Sequence, residues 1–299
     1  METIRRVPWK GVFTAIVTPF KADGSLDEAG LETLVNRQLD AGIHGIVPCG
    51  TTGESPALTH DEWAKVIEIT VGVAKGKAWV VAGTGTNNTQ KSVERTMAAQ
   101  KMGVDGALVI TPYYNKPNPD GLVIHFGRIA EAVPDLPMMV YNVPGRTGLN
   151  LTPATFARLA EIPTVAALKE ASGNLAQIWE ASRRFGDSVA VFSGDDGLNL
   201  PIYEVGGIGS VSVLSNVLPE LAVELYNAHT SGNRPLALEL HDKLHNLCVN
   251  LFMEASPAPA KHALKLLGLP GGDVREPIAP AGPATEKQIE ADLKALGVL

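Results

Sequence analysis

The chain has 299 residues, 45% of them hydrophobic and 19% charged, and carries a formal net charge of −7. That is ordinary globular composition for one large barrel or two average domains, and with no basic stripe it excludes a nucleic-acid binder, which releases counterions with clustered lysine and arginine. Two distant cysteines, Cys49 and Cys248, exclude a disulfide framework or a zinc site.

No apolar run approaches the roughly 18 residues that a membrane span needs, and the first ten residues hold no apolar leader region, so a cytoplasmic protein is expected. Short apolar runs rich in Val, Ile and Ala then follow one another at 11–19, 45–50, 79–83, 106–111, 138–142, 165–169, 189–193 and 210–214. Their nearly continuous apolar character predicts strands buried on both faces. Between and after them, amphipathic patterns at 26–41, 60–75, 89–102, 119–132, 153–160, 175–185, 198–205 and 219–231 predict helices. Thr59 with Glu62 three residues later, and Thr152 before Pro153, are helix-start signals.

Eight such units predict an α/β fold, a closed (β/α)8 TIM barrel, which takes ~250 residues. An open doubly wound sheet is the alternative. Its first turn would carry a dinucleotide fingerprint, which Val17-Thr18-Pro19-Phe20-Lys21-Ala22-Asp23-Gly24-Ser25 lacks. After Ser231 the alternation stops, and stretches at 235–252, 258–267 and 286–296 predict a C-terminal helical extension. The expected organisation is a catalytic barrel over 1–231 and the extension over 232–299.

Barrel enzymes place their chemistry at the C-terminal ends of the strands. Lys169 follows the apolar Val165-Ala166-Ala167-Leu168, where desolvation lowers an amine's pKa and yields a carbonyl nucleophile. From position alone, a lysine snorkelling to water reads the same. Tyr141 is either a proton-relaying phenol or an aromatic filling the barrel mouth. Thr51 and Thr52, in Gly50-Thr51-Thr52-Gly53-Glu54, suit a carboxylate or merely serve the turn. Arg146 is a bidentate carboxylate clamp or a solvated cation. Glu170 faces away from Lys169, as successive strand residues do. Gly206-Gly207-Ile208-Gly209 lies at a strand's start, the wrong face for a phosphate site, and adjacent Asp195 and Asp196 do not converge on a metal. Cys49 reads as a buried structural thiol.

Together these segments resemble the dihydrodipicolinate synthase family of pyruvate-dependent class I aldolases, the superfamily that includes N-acetylneuraminate lyase. The loop Gly50 to Glu54 with Leu168-Lys169-Glu170 marks the superfamily. Tyr141-Asn142-Val143-Pro144-Gly145-Arg146-Thr147, Thr111-Pro112-Tyr113-Tyr114-Asn115-Lys116-Pro117 and Ser193-Gly194-Asp195-Asp196 mark the synthases. The similarity covers nearly the whole chain from about Gly11.

The resemblance implies a lyase of the diaminopimelate and lysine pathway that condenses pyruvate with L-aspartate 4-semialdehyde. Lys169 would form the pyruvate imine, with no metal and no cofactor. Tyr141, Thr51 and Tyr114 would relay protons, Tyr114 coming from a neighbouring subunit. Thr51 and Thr52 would hold pyruvate's carboxylate, Arg146 that of the semialdehyde, and Gly194 and Val211 would line the site through their backbones. Small molecules are the expected partners, with no nucleic acid or membrane, in a homo-oligomer that is commonly a dimer of dimers, a homotetramer.

Lysine-inhibited relatives bind lysine near Ser55 and His60 with a further histidine and a glutamate, positions where this chain has Trp63 and Lys91. An ammonium in place of a carboxylate repels the ligand's amines, so weak or absent feedback is expected. Two rival readings remain at this stage. Another pyruvate-dependent lyase, N-acetylneuraminate lyase or a 2-keto-3-deoxy-sugar aldolase, would need polyol-binding groups where Arg146 stands. A non-catalytic keto-acid-binding barrel would have no use for the catalytic side chains.

Overall fold

Each of the eight apolar runs forms one strand of a closed parallel barrel, in sequential order, in the computed structural model, which describes residues 6–299. The strands are β1 (Gly11–Ala15), β2 (Gly45–Val47), β3 (Trp79–Gly83), β4 (Gly106–Ile110), β5 (Met138–Asn142), β6 (Val165–Glu170), β7 (Ala190–Ser193) and β8 (Gly209–Ser212). Every strand residue is buried except Trp79 at the start of β3 and Ile110 at the end of β4. The fold is the expected TIM barrel with C-terminal helices. Burial on both faces is the reason for its continuous apolar runs. The expectation of a leaderless start rests partly on residues 1–5, which lie outside the described residues.

Helices α1 (Glu28–Asp40), α2 (His60–Ala74), α3 (Thr89–Lys101), α4 (Pro119–Ala132), α5 (Pro144–Thr147), α6 (Pro153–Leu159), α7 (Leu175–Phe185), α8 (Asn199–Glu204), α9 (Leu214–Val217) and α10 (Pro219–Thr230) follow or separate the strands. Thr59 and Glu62 form the capping box of α2, and Thr152 caps α6 through the Thr155 N–H. The one-turn helices α5 and α9 were not anticipated, since a single turn has too few residues to show a period. Among the described residues, no helix is long and apolar enough to cross a membrane.

Among the strands that stop short of their apolar runs, β1 and β2 do so for identifiable reasons. Beyond Ala15, Asn216 takes over the backbone bonding: its Oδ1 accepts from the Val17 N–H at 3.0 Å and its Nδ2 donates to the Ala15 carbonyl at 2.8 Å. Beyond Val47, Cys49 has a φ of 55° and leaves the extended region. Its buried thiol donates to the Trp63 carbonyl at 3.6 Å.

The chain forms two compact units, one of Val81–Val211 with the described residues before Gly11, the other of Gly11–Val80 with Ser212–Leu299. In the first, Trp9 packs where a Cβ on Gly106 would lie 2.2 Å from its ring, so only glycine fits there. In the second, α11 (Arg234–Asn250), α12 (Ala258–Leu266) and α13 (Pro283–Ala295) form the extension. Leu240, Leu244 and Leu247 of α11 and Ile289 and Leu293 of α13 are buried. Each such side chain contributes about 1.5–3 kcal/mol relative to exposure.

Candidate active site

The register of β5 and β6 sets the first unit's site. Tyr141 pairs with Lys169, and Asn142 with Glu170, so the two pairs face opposite sides of the sheet. On the outer side Asn142 Nδ2 donates to both Glu170 oxygens at 3.0 and 3.1 Å. The Ser172 N–H and Gln177 Nε2 donate to the same carboxylate at 2.7 and 3.1 Å. Burial pushes Glu170's pKa up, and these donors oppose the rise. This network pins the outer pair and thereby aligns the inner one.

On the inner side the Lys169 Nζ sits 4.2 Å from the centroid of the Tyr141 ring. Lys169 is only 5% exposed, and burial pulls its pKa down to about 7. Asp196 acts to raise it and Arg146 to lower it further. A large fraction of the amine is therefore neutral and nucleophilic near pH 7. Gly194 makes room for the lysine: a Cβ there would lie 3.0 Å from Lys169 Cε, 3.1 Å from its Cγ and 2.8 Å from Ala171 Cβ. Gly194 is fixed by donating its N–H to the Glu170 carbonyl at 2.8 Å.

Arg146 stands exposed on the single turn of α5 and pairs with no acid among the described residues. That turn ends at Gly148, whose φ of 69° and close approach to the Lys116 side chain both call for glycine. Val211 is buried in β8. Tyr114 is 88% exposed with a φ of 71°, turned outward on the segment after β4. In the sequence Asp196 belongs to a motif that marks the synthases and, beside Asp195, does not converge on a metal. It is buried, accepts from Asn199 Nδ2 at 3.0 Å, and acts electrostatically on Lys169. Its place two residues after Gly194 in the Ser193-Gly194-Asp195-Asp196 motif is the available signal.

In the second unit, Thr51 and Thr52 follow β2 in a tight turn. The Glu54 N–H donates to the Thr51 carbonyl at 3.0 Å, and Thr18 Oγ1 donates to the Gly53 carbonyl at 2.8 Å. Thr52 is buried and Thr51 half-buried. Glu54 meets Lys261 and Arg275 from the extension, a cluster that the sequence did not reveal. Ser55 begins a short 3-10 turn, and His60 opens α2, stacked on the fully buried Trp63 at 5.9 Å. Among the described residues, no group of three His, Cys, Asp or Glu side chains could hold a metal ion.

The model of the dihydrodipicolinate synthetase family matches residues 8–296. The 4-hydroxy-tetrahydrodipicolinate synthase of Syntrophobacter fumaroxidans is 45% identical over 292 residues, 97% of this chain and 100% of that protein. A structure of the chloride-inhibited dihydrodipicolinate synthase of Acinetobacter baumannii complexed with pyruvate is 38% identical, with a TM-score of 0.94 over 97% of this chain and 99% of that one. The Cyanidioschyzon merolae enzyme with lysine bound is 40% identical, with a TM-score of 0.94 over 99% of this chain and all of that one. With its lysine-bearing barrel and near-complete coverage, the chain belongs to the dihydrodipicolinate synthetase family.

Proposed function

We propose that the chain is a class I, Schiff-base synthase that condenses pyruvate with L-aspartate 4-semialdehyde to give 4-hydroxy-tetrahydrodipicolinate, on the route to diaminopimelate and lysine. One observation carries the reading: a nearly fully buried Lys169 amine, with its pKa drawn down to about 7, beside Tyr141. A buried lysine without a close anion is costly unless its neutral form is the useful one.

The neutral Nζ attacks the ketone carbon of pyruvate, and loss of water leaves a protonated imine. That imine is an electron sink, so a methyl proton departs and the resulting enamine carbon attacks the aldehyde of the second substrate. The semialdehyde's amine then adds to the imine carbon, closing the ring and releasing Lys169. No metal or organic cofactor takes part in this scheme. Tyr141, Thr51 and Tyr114 relay the protons, Thr51 and Thr52 hold the pyruvate carboxylate, and Gly194 and Val211 border the substrates with backbone groups. Arg146, exposed and without an acid partner among the described residues, is suited to the second carboxylate.

Tyr114 is assigned to a neighbouring subunit's site, a role its outward placement supports, and the assembly is a dimer of dimers in the cytoplasm. The division of the chain is a catalytic barrel over 1–231 and an extension over 232–299. Ser55 and His60 mark the region where lysine binds in inhibited relatives. The Trp63 and Lys91 positions weaken or abolish that response here, and inhibition by lysine near physiological levels would contradict this.

The test is borohydride reduction with pyruvate followed by mass spectrometry, beside turnover of aspartate semialdehyde. The expected results are a pyruvyl adduct on Lys169 and turnover. Turnover of N-acetylneuraminate or 2-keto-3-deoxygluconate instead would transfer the chain to another lyase class, and no adduct would leave only a keto-acid binder.

A further inference from the structure

In the second unit an ion pair is buried where no step of the proposed chemistry uses it. Lys261 Nζ of α12 lies 2.7 Å from Glu54 Oε1, and the two side chains are 2% and 1% exposed. Burying two charges rarely stabilises a fold more than an apolar pair of the same size would. What a charged pair adds is direction, and the direction here is towards the loop that carries Thr51 and Thr52.

Glu54 stands two residues after Thr52 with a φ of 53°, a left-handed backbone that a residue with a Cβ adopts only when its surroundings demand it. The demand comes from the extension. Lys261 holds Oε1, which has no other partner among the described residues, and the Arg275 N–H donates to Oε2 at 2.8 Å. Lys261 is itself oriented by donating to the Asp273 carbonyl at 2.9 Å and by lying 4.3 Å from the Phe20 ring centroid. Arg275 grips the far end of the segment, donating to the Ala57 carbonyl at 3.0 Å and to both oxygens of Glu62 at 2.8 and 2.5 Å. Between Thr52 and Glu54 there is little slack. A Cβ on Gly53 would lie 3.1 Å from the Cys49 nitrogen and 3.2 Å from the Ile16 carbonyl oxygen, so the backbone is seated against its neighbours.

We propose that Lys261 is a positioning residue that sets the Thr51–Thr52 loop through Glu54, making the C-terminal extension a working part of substrate-carboxylate binding. The proposal rests on the reading that this loop holds the carboxylate of pyruvate. Lys261→Met would leave Oε1 buried without a partner, and the loop must then shift to hydrate it. A displacement on the scale of an ångström in a binding loop lowers efficiency by one to two orders of magnitude.

The experiment measures apparent KM for pyruvate, kcat and Tm, with borohydride trapping, on wild type, Lys261→Met, the double variant Glu54→Gln/Lys261→Met and Lys265→Gln, which neutralises an exposed lysine of the same helix. Lys261→Met is expected to raise the pyruvate KM by on the order of tenfold or more, with a smaller change in kcat and with imine still forming at saturating pyruvate. The double variant recovers thermal stability, because no charge is left buried alone, but does not recover KM. Lys265→Gln behaves as wild type. An unchanged KM in folded Lys261→Met overturns the proposal, as does a KM that returns together with Tm in the double variant. If Lys261→Met does not fold, the double variant decides alone. A wild-type chain that forms no pyruvyl adduct would overturn the Schiff-base reading and the loop's role with it, whereas a normal wild-type adduct with unaffected variants overturns only the role of Lys261.

Discussion

Two lysines are buried to nearly the same degree, Lys169 at 5% and Lys261 at 3% exposure, and they are treated in opposite ways. Lys261 is given a carboxylate at 2.7 Å, a backbone carbonyl at 2.9 Å and an aromatic face, which together offset much of its desolvation. Lys169 has the Tyr141 ring, a repelling Arg146 and an Asp196 whose attraction does not outweigh burial. Burial lowers the pKa of both; at Lys261 the Glu54 carboxylate opposes the fall, and at Lys169 burial brings it to about 7. The same side chain is thus tied into an ion pair in one region and, in the other, left in the state that the proposed nucleophile needs. Partner supply decides which, not depth of burial.

The contrast can be broken most directly at Lys169. Lys169→Ala is expected to remove the borohydride-trapped adduct and lower turnover by more than about a thousandfold, as loss of a covalent nucleophile does. Because the lost amine was poorly compensated, thermal melting should show no loss of stability. Lys261→Met is expected to do the reverse to the fold, lowering stability by about 3–5 kcal/mol through the stranded Glu54 carboxylate, as read by urea denaturation. Equal destabilisation by the two substitutions would erase the distinction.

Gly194→Ala probes the space rather than the charge. Its Cβ must displace the Lys169 stem, so kcat should fall by about ten- to a hundredfold while stability falls by about 1–3 kcal/mol. Wild-type kcat with this substitution would show that the lysine's placement is not demanding.

The smallest effects concern pH. Imine formation followed by rapid-quench trapping should rise with pH through about 7 and level off above it, since only the neutral amine reacts. Asp196→Asn should move that midpoint down and Arg146→Ala up, because Asp196 favours the ammonium and Arg146 opposes it. The linked stability term has a definite sign. Between the folded pKa of about 7 and the ordinary lysine value of 10.5, the unfolded chain binds more protons at Lys169 than the folded chain does. The penalty for burying this group is therefore full below pH 7 and is relieved as pH rises towards 10.5. An imine-formation midpoint near 10 would show that Lys169 is not desolvated in solution.

Much of this was readable along the chain. Eight apolar runs separated by amphipathic stretches specify a parallel barrel, because strands covered on both faces must be apolar throughout and their crossovers must be helical. The position of Lys169 after Val165-Ala166-Ala167-Leu168 marked a strand-end amine, and the motifs around Tyr141 and Gly194 marked its neighbours. Lys261, by contrast, carries no signal of its own within its helical stretch, and Glu54 only closes the loop that marks the superfamily.

The sequence by itself determined the alternation of elements, the strand that bears Lys169 and the composition of the loops at strand ends, since these depend on local periodicity and residue chemistry. Only the tertiary structure decided which buried lysine is paired and which is not. Glu54 and Arg275 are 221 residues apart in the chain, and the protonation of an amine depends on every charge and dipole that folding brings around it. No local pattern encodes that field.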